Sequence, residues 1–282
     1  MPLLYLLLVF QTGIVLTGAA VRITGSGLGC PTWPECTYGS YVPVAGQAEG
    51  AFHAWIEFGN RLLTFLLLFA AVAVVIYAIK KARRDLLWRA LLQVLGIFGQ
   101  GILGGITVLT DLHPLPVAGH LLLSIILIAG AASLYSRREY SARPRTDLDK
   151  LTKRVSVLHI GLTFVVIILG TIVTGSGPHA GDEKAQRFGF DIRTVSWLHA
   201  DAVIALLGLT AAFYILVRND PKLLRRVQVF LVVALAQGAI GYIQYFTGIP
   251  EILVAAHLLG ATLVWITAWR IRITVTRSLI VD

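Results

Sequence analysis

The sequence predicts an all-α integral membrane protein, with eight transmembrane helices arranged as two repeated four-helix bundles. Three observations lead there. Hydrophobic residues make up 56% of the 282 residues and charged residues only 14%, against about 25% charged in an ordinary soluble domain. The charges cluster and leave apolar runs of about 20 residues, the length that crosses a hydrocarbon core of roughly 30 Å. One stretch also recurs. A shift of 137 residues lays Gln100-Gly101 on Gln237-Gly238 and His120-Leu121-Leu122 on His257-Leu258-Leu259. Self-similarity at a fixed spacing marks a duplicated architecture and decides the fold before any single element does.

The apolar runs place spans at about residues 3–21, 55–79, 88–110, 116–136, 155–174, 195–217, 226–246 and 251–269. The first reads as a span, not a cleaved leader. Thr17-Gly18-Ala19-Ala20 offers small residues, but no basic segment precedes the run and it is too long. Basic residues then sort by side: 19 of the 24 Lys and Arg follow spans 2, 4, 6 and 8. That asymmetry makes those loops cytoplasmic and puts both termini on the same face. The net charge of +9 thus encodes topology in a lipid bilayer and does not point to nucleic acid.

The charged segment 137–154, containing Pro144, is the natural joint. It divides an N-terminal half, residues 1–140, from a linker at 141–154 and a C-terminal half at 155–282. The outer turns after spans 3 and 7 are tight, with Pro114 and Pro116 in one and Pro250 in the other. The outer loops after spans 1 and 5 are long, about 33 and about 20 residues. Both open on one phrase, Ile23-Thr24-Gly25-Ser26-Gly27 and Val173-Thr174-Gly175-Ser176-Gly177. The repeat therefore extends over each half.

Ionisable groups inside a span are costly and are read first as functional. His120, His199 and His257 sit about five to seven residues into spans 4, 6 and 8. At 1.5 Å per residue they lie at a common depth, roughly 7–10 Å below the outer boundary. Each alone is explained by a hydrogen bond to a neighbouring helix. Three at one depth, two of them related by the repeat, favour a site. Imidazoles from facing helices suit a haem iron, one on each side of the ring; zinc would need further Cys, His or carboxylate ligands. His199 with His257 is the expected bis-histidine pair. In the first half, matching by depth puts Glu57 or Asn60 where the second half has His199, so that site is unsymmetric. Glu57, Asn60 and Arg61 share one helical face at i, i+3 and i+4, and the plain alternative for Glu57 and Arg61 is a structural ion pair. His53, His113, His159 and His179 are given no ligand role, His53 and His179 being the nearest to a haem propionate or an incoming substrate.

Cys30 and Cys36 share the first outer loop, GLGCPTWPECTYG. On an oxidising face two cysteines in one loop read as a disulfide. Closing so small a ring contributes only about 2.4 kcal/mol, so its work is local: stiffening the loop, or less readily a redox-active pair. No CxxCH stretch is present, so a haem would be held noncovalently.

These residues resemble haem A synthase, the enzyme that oxidises the C8 methyl of haem O to the formyl of haem A, in its bacterial type with a cysteine pair in the first outer loop. The resemblance covers almost the whole chain. It implies a plasma-membrane oxidoreductase with haem b on His199 and His257 in the second half. The first half becomes the substrate site, with haem O on His120 and with Glu57 as proton acceptor or charge stabiliser. The family's span-2 motif is Glu, two residues, His, Arg; here it reads Glu57-Phe58-Gly59-Asn60-Arg61, so Asn60 replaces the histidine. Asn60 and Arg61 are then pocket residues. A haem O synthase and an electron acceptor are the implied partners; the oligomeric state stays open. The rival classes are a non-enzymatic b-type cytochrome or haem carrier, expected to hold two similar sites, and a transporter with duplicated halves.

Overall fold

A computed structural model describes residues 2–138, 142–144, 147–182 and 185–279. Eight helices in it are long and apolar enough to cross a membrane. They are α1 (Pro2–Ile23), α2 (Ala51–Lys80), α3 (Arg84–Leu109), α4 (Pro114–Ser136), α5 (Lys150–Ser176), α6 (Ile192–Leu216), α7 (Pro221–Phe246) and α8 (Glu251–Thr276). Two three-residue strands, β1 (Ala142–Pro144) and β2 (Arg277–Leu279), pair antiparallel with Ala142 opposite Leu279. Residues 139–141, 145 and 146 of the expected joint, with Arg145 among the inner-side charges, lie outside the described residues.

Each expected span is a helix, and most helices overrun the apolar run that predicts them. Water-exposed turns add to a helix freely when their backbone groups have partners. The Asp149 carboxylate accepts from the Thr152 amide at 2.9 Å and starts α5 ahead of its apolar run. The Asp220 side chain accepts from the Leu223 amide at the start of α7, with Pro221 at the first helical position.

The helices are sided for lipid. On α2, Phe65, Phe69, Ile76 and Ile79 are exposed, whereas Ala70, Ala71, Val74 and Ala78 are buried. On this helix mostly small residues face the protein and large apolar ones face outward, which suits close backbone approach between helices in lipid.

Contacts divide the chain into two compact units, Met1–Ala131 with Thr171–Ile192, and Ala132–Gly170 with Arg193–Asp282. These boundaries do not follow the halves read from the repeat. In the first unit, the end of α5 and the loop after it are tied to the start of the first outer loop. The Gly27 amide donates to the Gly181 carbonyl at 2.8 Å, and Arg22 Nη2 donates to the Thr174 carbonyl at 2.9 Å. In the second unit, Phe213, Phe230, Leu223, Val227 and Ile271 form part of a buried core, and Trp269 Nε1 donates to Ser133 Oγ at 2.8 Å.

The 137-residue correspondence extends into the outer turns. Asp111 and Leu112 end the turn after α3 with φ of 48° and 56°; their counterparts Gly248 and Ile249 have φ of 81° and 60°. Thr110 Oγ1 donates to the Ile106 carbonyl and Thr247 Oγ1 to the Ile243 carbonyl, both at 2.7 Å. Two successive left-handed residues reverse the chain tightly. Glycine meets that need without strain at one of the four positions.

Candidate functional site

In the second unit His199 on α6 and His257 on α8 face each other, with ring centres 6.5 Å apart and planes inclined at 67°. A metal–imidazole bond of about 2.0–2.1 Å on each side, plus about 1.2 Å from nitrogen to ring centre, requires about 6.5 Å. The spacing therefore fits two axial ligands on one iron. Each ring lies against a glycine. A methyl at Gly170 would sit 3.3 Å from His199 Cε1, and one at Gly241 would sit 3.0 Å from His257 Cε1. Gln237 Nε2 donates to the His257 carbonyl at 2.8 Å, tying α7 to the helix that carries His257. Nδ1 of each ring is buried and has no hydrogen-bond partner among the described residues.

The first unit repeats half of this arrangement. Gln100 Nε2 donates to the His120 carbonyl at 3.1 Å and to Ser124 Oγ at 2.6 Å. Gly104, four residues after Gln100 as Gly241 is after Gln237, leaves room for His120: a methyl there would be 3.5 Å from Cε1. His120 Nδ1 is likewise buried and unpartnered among the described residues. Asn60 does not supply a second imidazole, and its Oδ1 accepts from Thr17 Oγ1 of α1 at 2.7 Å. Among the described residues no group of three or more His, Cys, Asp or Glu is gathered for a metal ion.

Glu57 and Arg61 form the i,i+4 ion pair, with Arg61 Nη2 2.6 Å from Glu57 Oε1. The pair does more than brace its own helix. Glu57, 5% exposed, accepts at Oε2 from the Cys30 amide at 2.7 Å. Arg61 donates to the carbonyls of Cys30, Thr32 and Glu35 at 2.9–3.1 Å. Those residues belong to the ring closed by the Cys30–Cys36 disulfide. Charge-assisted hydrogen bonds thus hold the ring on α2. Its Trp33 lies flat on Gly105 of α3, where a methyl would come within 2.5 Å of the indole. The adjacent glycines Gly104 and Gly105 therefore serve His120 and the disulfide ring respectively.

The other histidines have local partners. His53 Nδ1 is 2.9 Å from Ser26 Oγ, and His113 Nδ1 accepts from the Leu115 amide at 3.3 Å at the start of α4. His159 is buried with Nε2 3.1 Å from Thr210 Oγ1 and its ring edge-on to Phe230. The His179 carbonyl accepts from Arg22 Nε. Sequence reasoning aligned Gln100 with Gln237 but gave them no part; the available signal was an amide inside each span at one offset from a histidine.

Comparison with known proteins decides the family. The sequence profile of COX15-CtaA, described as cytochrome oxidase assembly protein, matches residues 2–269. The chain belongs to this family. A heme A synthase from Shewanella oneidensis is 31% identical over 189 residues, 61% of this chain and 54% of the relative. One from Geobacillus kaustophilus is 30% identical over 112 residues, 39% of this chain and 33% of the relative. The matched stretches thus span between a third and about half of these relatives.

Proposed function

We propose that the chain is a haem A synthase, oxidising the C8 methyl of haem O through successive hydroxylations, an alcohol and then a gem-diol that loses water to the aldehyde. The single observation that carries this reading is the difference between the two histidine settings. The second unit offers two imidazoles at the spacing of paired axial ligands, whereas the first offers His120 with Asn60 already engaged by Thr17. A fully ligated haem suits electron transfer and an open one suits reaction. Family membership supports the same reading.

Haem b would be held by His199 and His257 and would supply electron relay when bound. In the first unit His120 holds the iron of haem O, the substrate, with Asn60 and Arg61 in its pocket. Glu57 is the acidic group of that site. Because its two oxygens are engaged by Arg61 and by the Cys30 amide, a proton arriving on Glu57 weakens its hold on the disulfide ring. Proton uptake and ring position are thereby linked. The basic-residue asymmetry supports termini on the cytoplasmic side and histidines towards the outer face of a bacterial plasma membrane. A haem O synthase would deliver the substrate, and an electron acceptor would take up the electrons that the oxidation releases.

The test is chromatography of haems extracted from the purified protein, expressed with and without a haem O synthase. Haem A or its hydroxylated precursor should appear only with that enzyme. With Glu57→Gln, bound haem should persist while haem O or the alcohol accumulates. Haem b alone under both conditions, with haem O present in the membrane, would make the protein a b-type cytochrome.

A further inference from the structure

At the end of the second unit where basic residues collect, a cavity of about 570 Å³ opens between α5 and α8. Lys153, Arg154 and Arg272 supply its charge, and Val157, Leu158 and Val275 its apolar wall. It is an open groove and not an enclosed pocket. Among the described residues no carboxylate lies within ion-pair distance of the three cations. Asp149, which attracts Lys153 weakly, is committed to Thr152; that side-chain hydrogen bond and the one from the amide hold its carboxyl below the usual range. Arg272 Nη1 donates to Ser156 Oγ at 3.1 Å, which fixes the guanidinium and leaves its remaining donors unengaged among the described residues.

Three cations beside exposed Val157 and Leu158 match a ligand with an anionic head and an apolar body. A fixed guanidinium presents paired donors to phosphate oxygens, and lysine adds a point charge. Basic pockets between membrane helices on this side of a bilayer take anionic headgroups. We propose that this cavity holds the phosphate of an anionic phospholipid, with its acyl chains along Val157 and Leu158. A free phosphate would use the same cations but gain nothing from the apolar wall, which is why the lipid is favoured. The proposal needs only the membrane setting and is independent of the haem reading.

Native mass spectrometry of the intact protein released from detergent tests it, using phosphatidylglycerol and phosphatidylcholine of matched chains, with glycerol phosphate as a tail-free probe. Wild type should retain one phosphatidylglycerol against excess phosphatidylcholine, and glycerol phosphate should not displace it. Lys153→Gln and Arg154→Gln, both near the surface, should each weaken retention about fivefold. Lys80→Gln with Lys81→Gln, basic positions outside the cavity, should change nothing, which separates a site from general surface charge. Equal retention of both lipids by wild type, unchanged retention in the Lys153→Gln/Arg154→Gln double variant, or displacement by glycerol phosphate would overturn the proposal. The double variant leaves Arg272 and its bond to Ser156 intact, so it does not depend on a change inside the helix pair.

Discussion

A glycine against an imidazole is a small feature with a graded consequence. A methyl at Gly241 would crowd His257 at 3.0 Å, whereas one at Gly104 would meet His120 at 3.5 Å, an ordinary van der Waals contact. Close-packed interiors respond to even one added carbon. Gly241→Ala should therefore tilt or displace His257 and shift the absorption and paramagnetic-resonance spectrum of the second-unit haem. Gly104→Ala should leave the first-unit haem content within error, and the reverse ranking would contradict the ring placement. At this scale the sequence was legible for the charged and ionisable groups. His199, His257 and His120 stand out because imidazole is expensive in an apolar span. The Glu57–Arg61 pair was legible from i,i+4 spacing, but the partner of Asn60 and the second partner of Glu57 were not. Thr17 is 43 residues from Asn60 and the Cys30 amide 27 from Glu57, and neither pairing follows from helical spacing.

Among the elements, the hairpins α3–α4 and α7–α8 carry the same device: a glutamine whose amide grips the carbonyl of the histidine on the next helix. A side-chain bond to a carbonyl already in a helix fixes the register of two helices without using the ligand's own ring. Gln237 Oε1 is buried without a partner among the described residues, so removing the side chain loses one hydrogen bond and relieves one unsatisfied acceptor. Gln237→Leu should change thermal stability by about 1 kcal/mol or less yet broaden or shift the low-spin haem signal. An unchanged spectrum would assign the glutamine to stability alone. The hairpins themselves were legible from the recurrence of Gln and His at one spacing. The grip was not, because its acceptor is a backbone atom that every residue possesses. The apolar runs do not mark the helix ends, since α5 is started by Asp149 outside its run and α8 continues through Arg270 and Arg272.

For the molecule as a whole, eight spans followed from the lengths of the apolar runs, because a bilayer leaves a helix few alternatives. The compact units were less legible: the second long outer loop is bound to the first through the Gly181 carbonyl, and the end of α5 to Arg22 of α1 through the Thr174 carbonyl, contacts that a repeat alignment does not contain. The proposed function turns on the difference between a setting with two imidazoles, His199 and His257, and one with a single imidazole, His120. The most direct measurement is low-temperature paramagnetic resonance of the purified protein beside its His257→Ala and His120→Ala variants. His257→Ala should abolish the bis-imidazole low-spin signal and His120→Ala should preserve it. A low-spin signal that survives His257→Ala, or disappears with His120→Ala, would contradict it.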